Sequence, residues 1–317
     1  MKKNILVSGA SGIIGYGILR SLRKSYDEYR LIGTTIYDFS IAPAFCDIFE
    51  KALPTRHPDY MNWLCEIIKK YSIDMLIPGI EDDMIQWNVG HEKIISNNTF
   101  PLLNNSKLIE LCRDKWKFYE ELIIDNAKYA IPTTLDDDFK TFPLPFLLKP
   151  RHGSASKGII KINNEYDFEV HKHKIGPELM MQPIIGTAEE EYTVSAFFDK
   201  ASKLIDYLSL KRRLSNDGYT QEAQVVDFDF EDIICNLAKV FNPIGPTNFQ
   251  FRVDGDAVKL LEINPRISSA TSIRASLGYN ESIMSINYFL NHQIPTKMDK
   301  AKIMNKRAIR YVDDYIF

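Results

Sequence analysis

The segment Leu260-Leu-Glu262-Ile-Asn264-Pro265-Arg266-Ile-Ser268-Ser-Ala-Thr271 sets a carboxylate, an amide and a guanidinium at alternate positions and interrupts them with a proline. Alternate residues of a strand share a face, so Glu262 and Asn264 point one way and Ile263 the other. Upstream, Asn248-Phe-Gln250-Phe-Arg252 alternates in the same manner, and Asp254-Gly255-Asp256-Ala257 between the two runs is a hairpin signal. With Gly255-Asp256-Ala257 as the loop, Val253 faces Lys259, Phe251 faces Leu261 and Phe249 faces Ile263 on the apolar side. Gln250 then faces Glu262, and Asn248 faces Asn264, on the polar side. A slip of one residue would mix the two sets, so the pattern itself argues for a register.

One face of an antiparallel pair is commonly wet, and a solvated hairpin is the plain interpretation. One carboxylate and several amides set opposite one another, with only Arg252 charged among them besides Glu262, make a poor solvated face and a good set of oxygen ligands. Hard cations such as Mg²⁺ take oxygen donors and commonly keep phosphate and water in the remaining positions. Pro265 ends the strand because it cannot donate to the ladder. Arg266 follows, placed to meet an anion held by the metal.

The chain has 317 residues, is 45% hydrophobic and carries a net charge of −3. That length can bury a sizeable core in two or three domains. Lys and Arg form no long basic stripe, which argues against nucleic acid as a partner. Cys46, Cys65, Cys112 and Cys235 are far apart with no CxxC pair, a pattern of reduced thiols rather than a disulfide frame or zinc site. The start, MKKNILVSGAS, is too short in its apolar run for a signal peptide, and no run approaches a membrane span. A soluble cytoplasmic protein without a membrane partner is the expectation.

Along the chain, NILVS, RLIGTTIYD and IDMLIPGIEDD are expected strands separated by helical spacing, which predicts a parallel, doubly wound α/β sheet over roughly residues 1–100. SKLIELCRDKWKFYEELIIDNA is an expected single helix with Ser106 as its N-cap. Beyond it, short strands separated by turn residues and a few helices predict an α+β region. The tail after residue 296 carries no recognisable signal.

Lys149 stands at a strand end before Gly153-Ser-Ala-Ser-Lys-Gly158, small residues that let backbone N–H groups approach phosphate. The order is not that of a Walker loop. Gly9, Gly12 and Gly15 form a dinucleotide-type turn, which by itself requires only close packing; nicotinamide binding is not expected. Glu191 is the one member of Glu189-Glu190-Glu191 at a strand start. Lys211, Arg212 and Arg213 precede a loop, and Glu81-Asp82-Asp83 sit where doubly wound sheets bind ligands, or else serve a helix N-terminus.

Taken in order, Lys149 with GSASKG, EYTV, NFQF and LLEINPR resemble the ATP-grasp superfamily, nearest to its carbamoyl-phosphate-synthase-like branch with a single synthetase unit. The resemblance implies a Rossmann-like pre-ATP-grasp domain (1–105), followed by a two-subdomain ATP-grasp fold. In that scheme 106–180 holds the linker helix and first subdomain, 181–295 the C-terminal subdomain with the metal hairpin, and 296–317 a tail. It implies ATP with Mg²⁺, or Mn²⁺ as its substitute. Gln250, Glu262 and Asn264 match the metal ligands, and Arg266 the arginine at the transferring phosphate. Lys149 matches the strand-end basic residue on the nucleotide phosphates, Ser154 and Ser156 belong to the glycine loop beside them, and Lys115 matches the nucleotide-binding lysine that opens the ATP-grasp region. Met181 and Gln182 fall where the hinge meets adenine, Glu191 matches the ribose-binding glutamate, and Lys211 and Arg212 fall near further phosphate contacts. Gln182 replaces an acid of the pattern, and the loop after Arg266 lacks a close second arginine, Arg274 being the next.

The activity so implied is ATP-dependent joining of a small carboxylate to an amine through an acyl phosphate, by an enzyme of a class in which homodimers are common. A carbamoyl-phosphate-type kinase on bicarbonate or carbamate, and a nucleotide-binding regulator without chemistry, are the competing expectations.

Overall fold

Lys3–Val7 (β1) leads into Ile13–Leu22 (α1), and Tyr29–Thr35 (β2) returns beside it in parallel, the first of a series of crossovers. The series continues through Ile48–Lys51 (β3), Tyr60–Tyr71 (α2), Met75–Ile77 (β4), Glu81–Val89 (α3), His91–Ile95 (α4) and Phe100–Pro101 (β5). The sheet runs β3-β2-β1-β4-β5, all parallel, as expected from the alternating pattern. β3 and β5, too short to carry a period, escaped the sequence reading. The computed structural model describes residues 2–23, 28–153 and 157–316.

The glycines after β1 answer to packing. A Cβ on Gly15 would sit 2.3 Å from the Gly9 carbonyl oxygen, and one on Gly79 would sit 2.1 Å from that of Ser8. The turn after β1 and the end of β4 therefore close on each other backbone to backbone.

The predicted single helix is two: Ser106–Cys112 (α5) and Lys115–Asn126 (α6). Asn105, not Ser106, caps the first, accepting from the Lys107 N–H at 2.9 Å. Asp114 caps the second by accepting from the Trp116 N–H at 3.0 Å. A small antiparallel sheet follows, from Phe146–Pro150 (β6), Ile160–Ile162 (β7) and Leu179–Pro183 (β8), ordered β7-β6-β8, with Glu165–His171 (α7) against it.

Glu191–Phe198 (β9), Leu204–Leu214 (β10), Thr220–Val225 (β11), Glu231–Phe241 (α8), Gly245–Asp254 (β12), Ala257–Asn264 (β13), Thr271–Leu277 (α9), Glu281–Phe289 (α10) and Arg307–Ile309 (β14) complete the chain. Their six-stranded sheet runs β13-β12-β9-β10-β11-β14. The segment after residue 296, silent in sequence, thus supplies an edge strand, antiparallel to β11.

One face of this sheet packs against α6 and α8 through Phe118, Leu122, Phe230, Leu237 and Phe241, which meet Val194, Phe249, Phe251 and Ile263. Each such side chain contributes about 1.5–3 kcal/mol on burial. The other face shares a core with the parallel domain, Phe197, Ile267, Ile286 and Phe289 lying with Val7, Ile18 and Leu102. Asn104 pins the two: its amide N–H donates to Thr247 Oγ1 at 2.8 Å and its oxygen accepts from the Ile244 N–H at 2.8 Å.

Candidate active site

The expected polar pairs form. Gln250 lies opposite Glu262 and Asn248 opposite Asn264. Phe249 faces Ile263 as well, but nearer the turn the register differs: Phe251 faces Leu260, Arg252 faces Lys259 and Asp254 faces Ala257. The turn is therefore the two residues Gly255-Asp256, with Gly255 at φ +57°, not the predicted three. A bulge leaves Leu261 as the extra residue, so a shorter turn and an inserted residue cancel before the site is reached. The bulge frees Leu261 to line the cleft.

The cleft lies over the polar face of β12 and β13. It encloses about 320 Å³, in the range of small-molecule sites, and is bounded by Lys149, Gln182, Glu191, Arg212, Gln250, Arg252, Glu262, Asn264 and Arg266. The Asn264 amide donates to Glu262 Oε1 at 3.0 Å, while its oxygen accepts from Arg266 Nη2 at 3.0 Å. Burial pushes the Glu262 carboxyl up, but Lys149, the Asn264 amide, Lys115 and Arg212 outweigh that and hold it below the usual carboxylate value. Burial also draws Lys149 down, against the pull of Glu262. It lowers Arg266 in the same way, opposed by Glu81 and Glu262.

A second group stands at the start of β9. Glu191 is 6% exposed. Its Oε1 accepts from Arg212 Nη2 at 2.7 Å and its Oε2 from Arg252 Nη2 at 2.7 Å. Arg212 Nη2 also donates to Gln250 Oε1 at 2.7 Å, tying this group to the hairpin.

Lys115 opens α6 and lines the same cleft, its ammonium donating to the Gly153 carbonyl. Its position depends on residues that drew no attention in sequence. Arg151 forms a forked pair with Asp114, at 2.6 and 3.2 Å, and donates to the Gly176 carbonyl at 2.6 Å. The Lys115 N–H reaches the Arg151 carbonyl at 2.9 Å. Lys149, Lys115 and the start of the glycine loop are thereby one braced unit. Ser154 and Ser156 lie outside the described residues.

Two expected contacts fall elsewhere. Met181 is fully buried in the apolar cluster of the small sheet with Phe146 and Leu148, and both its backbone groups bond Thr134. The residues that line the cavities from this strand are Met180, Gln182 and Pro183, Gln182 donating to Thr133 Oγ1 at 2.8 Å. Lys211 alternates with Arg212 on β10 and so takes the opposite face, where it pairs with Glu190 over the Tyr192 ring.

The acidic run separates into three roles. Asp83 is buried, accepting from Tyr60 Oη at 2.7 Å and Thr55 Oγ1 at 2.5 Å. Asp82 faces outward near Arg56 at 3.5 Å. Glu81 turns inward, 4.0 Å from Arg266. Beside it a second, smaller cavity is lined by Met84, Ile109, Cys112, Phe118 and Leu122, and it shares Lys149, Glu262, Asn264 and Arg266 with the large cleft. Arg274 reaches neither cavity: it is buried against Glu281, with a further bond to Ser268 Oγ at 3.1 Å.

The oxygen set suits magnesium in chemistry. Among the described residues no three His, Cys, Asp or Glu side chains cluster for a metal, so Glu262 is the one carboxylate and the amide oxygens of Gln250 and Asn264 accompany it. Each amide oxygen accepts one hydrogen bond from an arginine and retains a second lone pair. Such a set fits a cation that completes its shell with phosphate oxygens.

Residues 176–313 match the family model described as ATP-grasp in the biosynthetic pathway with Ter operon. A search of curated protein sequences returns no match. Among solved structures, N5-carboxyaminoimidazole synthetase from Staphylococcus aureus, complexed with ADP, is similar with TM-score 0.72 and 16% identity over 94% of this chain and 80% of that one. A biotin carboxylase–β,γ-ATP complex from Campylobacter jejuni gives 0.66 and 16% over 88% and 72%. An L-amino acid ligase from Bacillus licheniformis gives 0.61 and 15% over 86% and 69%. With its doubly wound sheet, its small three-stranded sheet and its terminal polar hairpin, the chain has the fold of these solved structures, and its residues 176–313 match an ATP-grasp family model.

Proposed function

We propose that the chain is an ATP-dependent, ADP-forming carboxylate–amine ligase working through an acyl phosphate. The observation that carries this reading is the wall formed by Lys149, Glu262, Asn264 and Arg266, which borders a large polar cleft on one side and a smaller, mainly apolar cavity on the other. A phosphoryl group passing from nucleotide to acid must cross such a wall, and its transfer is mainly positioning and charge stabilisation. ATP fits the larger cleft, in line with the nucleotides held by the Staphylococcus and Campylobacter neighbours. Residues 1–105 act in this reading as the domain preceding the ATP-grasp unit, with 106–180 and 181–295 as its two subdomains.

Gln250, Glu262 and Asn264 would hold Mg²⁺, or Mn²⁺ in its place, which supplies charge neutralisation between the phosphates when bound. Lys149 and Lys115 face the same phosphates from the other side. Arg266 orients the acid and offsets charge on the γ-phosphoryl group. A carboxylate oxygen of the acid bonds to the γ-phosphorus as its bond to the ADP oxygen breaks. The amine then bonds to the acyl carbon, loses a proton, and inorganic phosphate departs.

Bicarbonate as the acid is disfavoured by Met84, Ile109, Phe118 and Leu122, whose surfaces offer so small and polar an ion no partners. The test is hydroxylamine trapping with ATP and a panel of carboxylates. A hydroxamate formed with stoichiometric ADP supports the reading; ADP release indifferent to any organic carboxylate, or AMP as product, overturns it.

A further inference from the structure

Resting on the ligase reading, we infer that the acid activated at this site is an apolar α-amino acid, recognised as a zwitterion by Glu81 and Arg266. Glu81 Oε2 and Arg266 Nη2 stand 4.0 Å apart at the mouth of the smaller cavity, with side chains 33% and 11% exposed. That is longer than a direct charged hydrogen bond. The two opposite charges face one space and are not closed on each other.

An α-amino acid carries its ammonium and carboxylate on one carbon, so a single molecule reaches both. Its carboxylate goes to Arg266, beside the Lys149–Glu262 wall where phosphate arrives. Its ammonium goes to Glu81. The reverse orientation would place the ammonium against Arg266, Lys149 and Lys115, three cations, and is excluded by repulsion.

The side chain then points past Glu81 into the cavity. Met84, Ile109, Phe118 and Leu122 line it, the first two and the last at most 2% exposed. Charged side chains find no free counter-ion there: apart from Glu81, the ionisable groups of the cavity are the Tyr119 phenol, the Cys112 thiol, which burial and the neighbouring carboxylates keep protonated, Lys115, assigned above to the phosphates, and those of the wall itself. A carboxylic acid without an ammonium would leave Glu81 unanswered and so bind less well. The amine of the second substrate must enter from elsewhere, since this ammonium is held charged and is not a nucleophile.

Glu81, first residue of α3, does not owe its inward aim to the helix dipole. Asp82 and Asp83 of the same first turn face solvent and the parallel domain's core. The direction of Glu81 is set by its place after β4, opposite the end of β13.

The experiment is isothermal titration with Mg²⁺ and a non-hydrolysable ATP analogue present. L-Leucine is compared with 4-methylpentanoate, the same skeleton without the ammonium, and with L-aspartate and L-lysine. Leucine is expected to bind at least about tenfold more tightly than the other three. Glu81→Gln is expected to bring leucine down to the level of 4-methylpentanoate, its fold being checked by retained affinity for the ATP analogue. Equal binding of leucine and 4-methylpentanoate, preference for a charged amino acid, or leucine binding untouched by Glu81→Gln would each overturn the inference while leaving the ligase reading in place. Failure of the wild-type protein to bind the ATP analogue would remove the ligase reading, and this inference with it.

Discussion

Two groups of buried charge share the large sheet, and they are built on opposite principles. At the base, Arg274 and Glu281 are both fully buried and joined by two bonds, with Ser195 Oγ donating to Glu281 at 3.0 Å and Ser268 accepting from Arg274. At the cleft, Arg252, Glu191, Arg212 and Gln250 form one chain of bonds and Arg266, Asn264 and Glu262 another, side by side on the hairpin and bordering open space. The first is closed on itself and holds α9 and α10 to the sheet. The second carries more positive charge than its carboxylates offset, a surplus that suits phosphate. Burial alone thus does not separate a structural ion pair from a functional one; what separates them is whether the charges are balanced and whether they border a cavity.

The largest effect expected is on catalysis. Glu262→Ala or Arg266→Ala should lower acid-dependent ADP release by on the order of 10²–10³ or more, with the melting temperature nearly unchanged. Loss of folding instead would make the cleft group structural and erase the contrast.

At the base the outcome should be the reverse. Glu281→Leu leaves the Arg274 guanidinium buried without its partner and should cost about 3–5 kcal/mol in urea unfolding. Adding Arg274→Met should recover much of it, since an apolar pair of similar size is often neutral at such a site. Nucleotide affinity of the folded double variant should match wild type.

A smaller effect falls on the brace beside Lys115. Asp114→Asn retains a capping oxygen but loses the ion pair with Arg151, a predicted loss of about 1 kcal/mol together with weaker nucleotide binding. Burial pushes the Asp114 carboxyl up, but the bonds from Arg151 and the Trp116 N–H prevail and hold it below the usual aspartate value. A carboxyl so lowered stabilises the folded state fully above its unfolded value, and that contribution disappears as pH falls through the folded one. The wild-type advantage in thermal melting should therefore be greatest near neutral pH and vanish in strong acid.

Much of this was legible in the chain. The polar pairs Gln250/Glu262 and Asn248/Asn264 followed from alternation, because only one parity keeps Phe249 and Ile263 in the core. The turn was not legible: a two-residue loop with a bulge and a three-residue loop without one give the same pairing at the site, and alternation cannot tell them apart. Lys211 was misplaced because adjacent basic residues on a strand take opposite faces, and only the sheet's packing says which faces the cleft. The acidic run stood out, but not which of its members turns inward, and Arg151 and Asp114 lacked any local pattern: the partners of Glu81, Arg151 and Asp114 lie 185, 37 and 37 positions away in the chain. Long-range pairs of this kind leave no period to detect.

The most direct test of the hairpin's role is anomalous scattering from Mn²⁺ in crystals grown with a non-hydrolysable ATP analogue. A metal peak in contact with Glu262, bridging to the terminal phosphates, is predicted. A nucleotide-bound metal placed away from Glu262, Gln250 and Asn264 would contradict it.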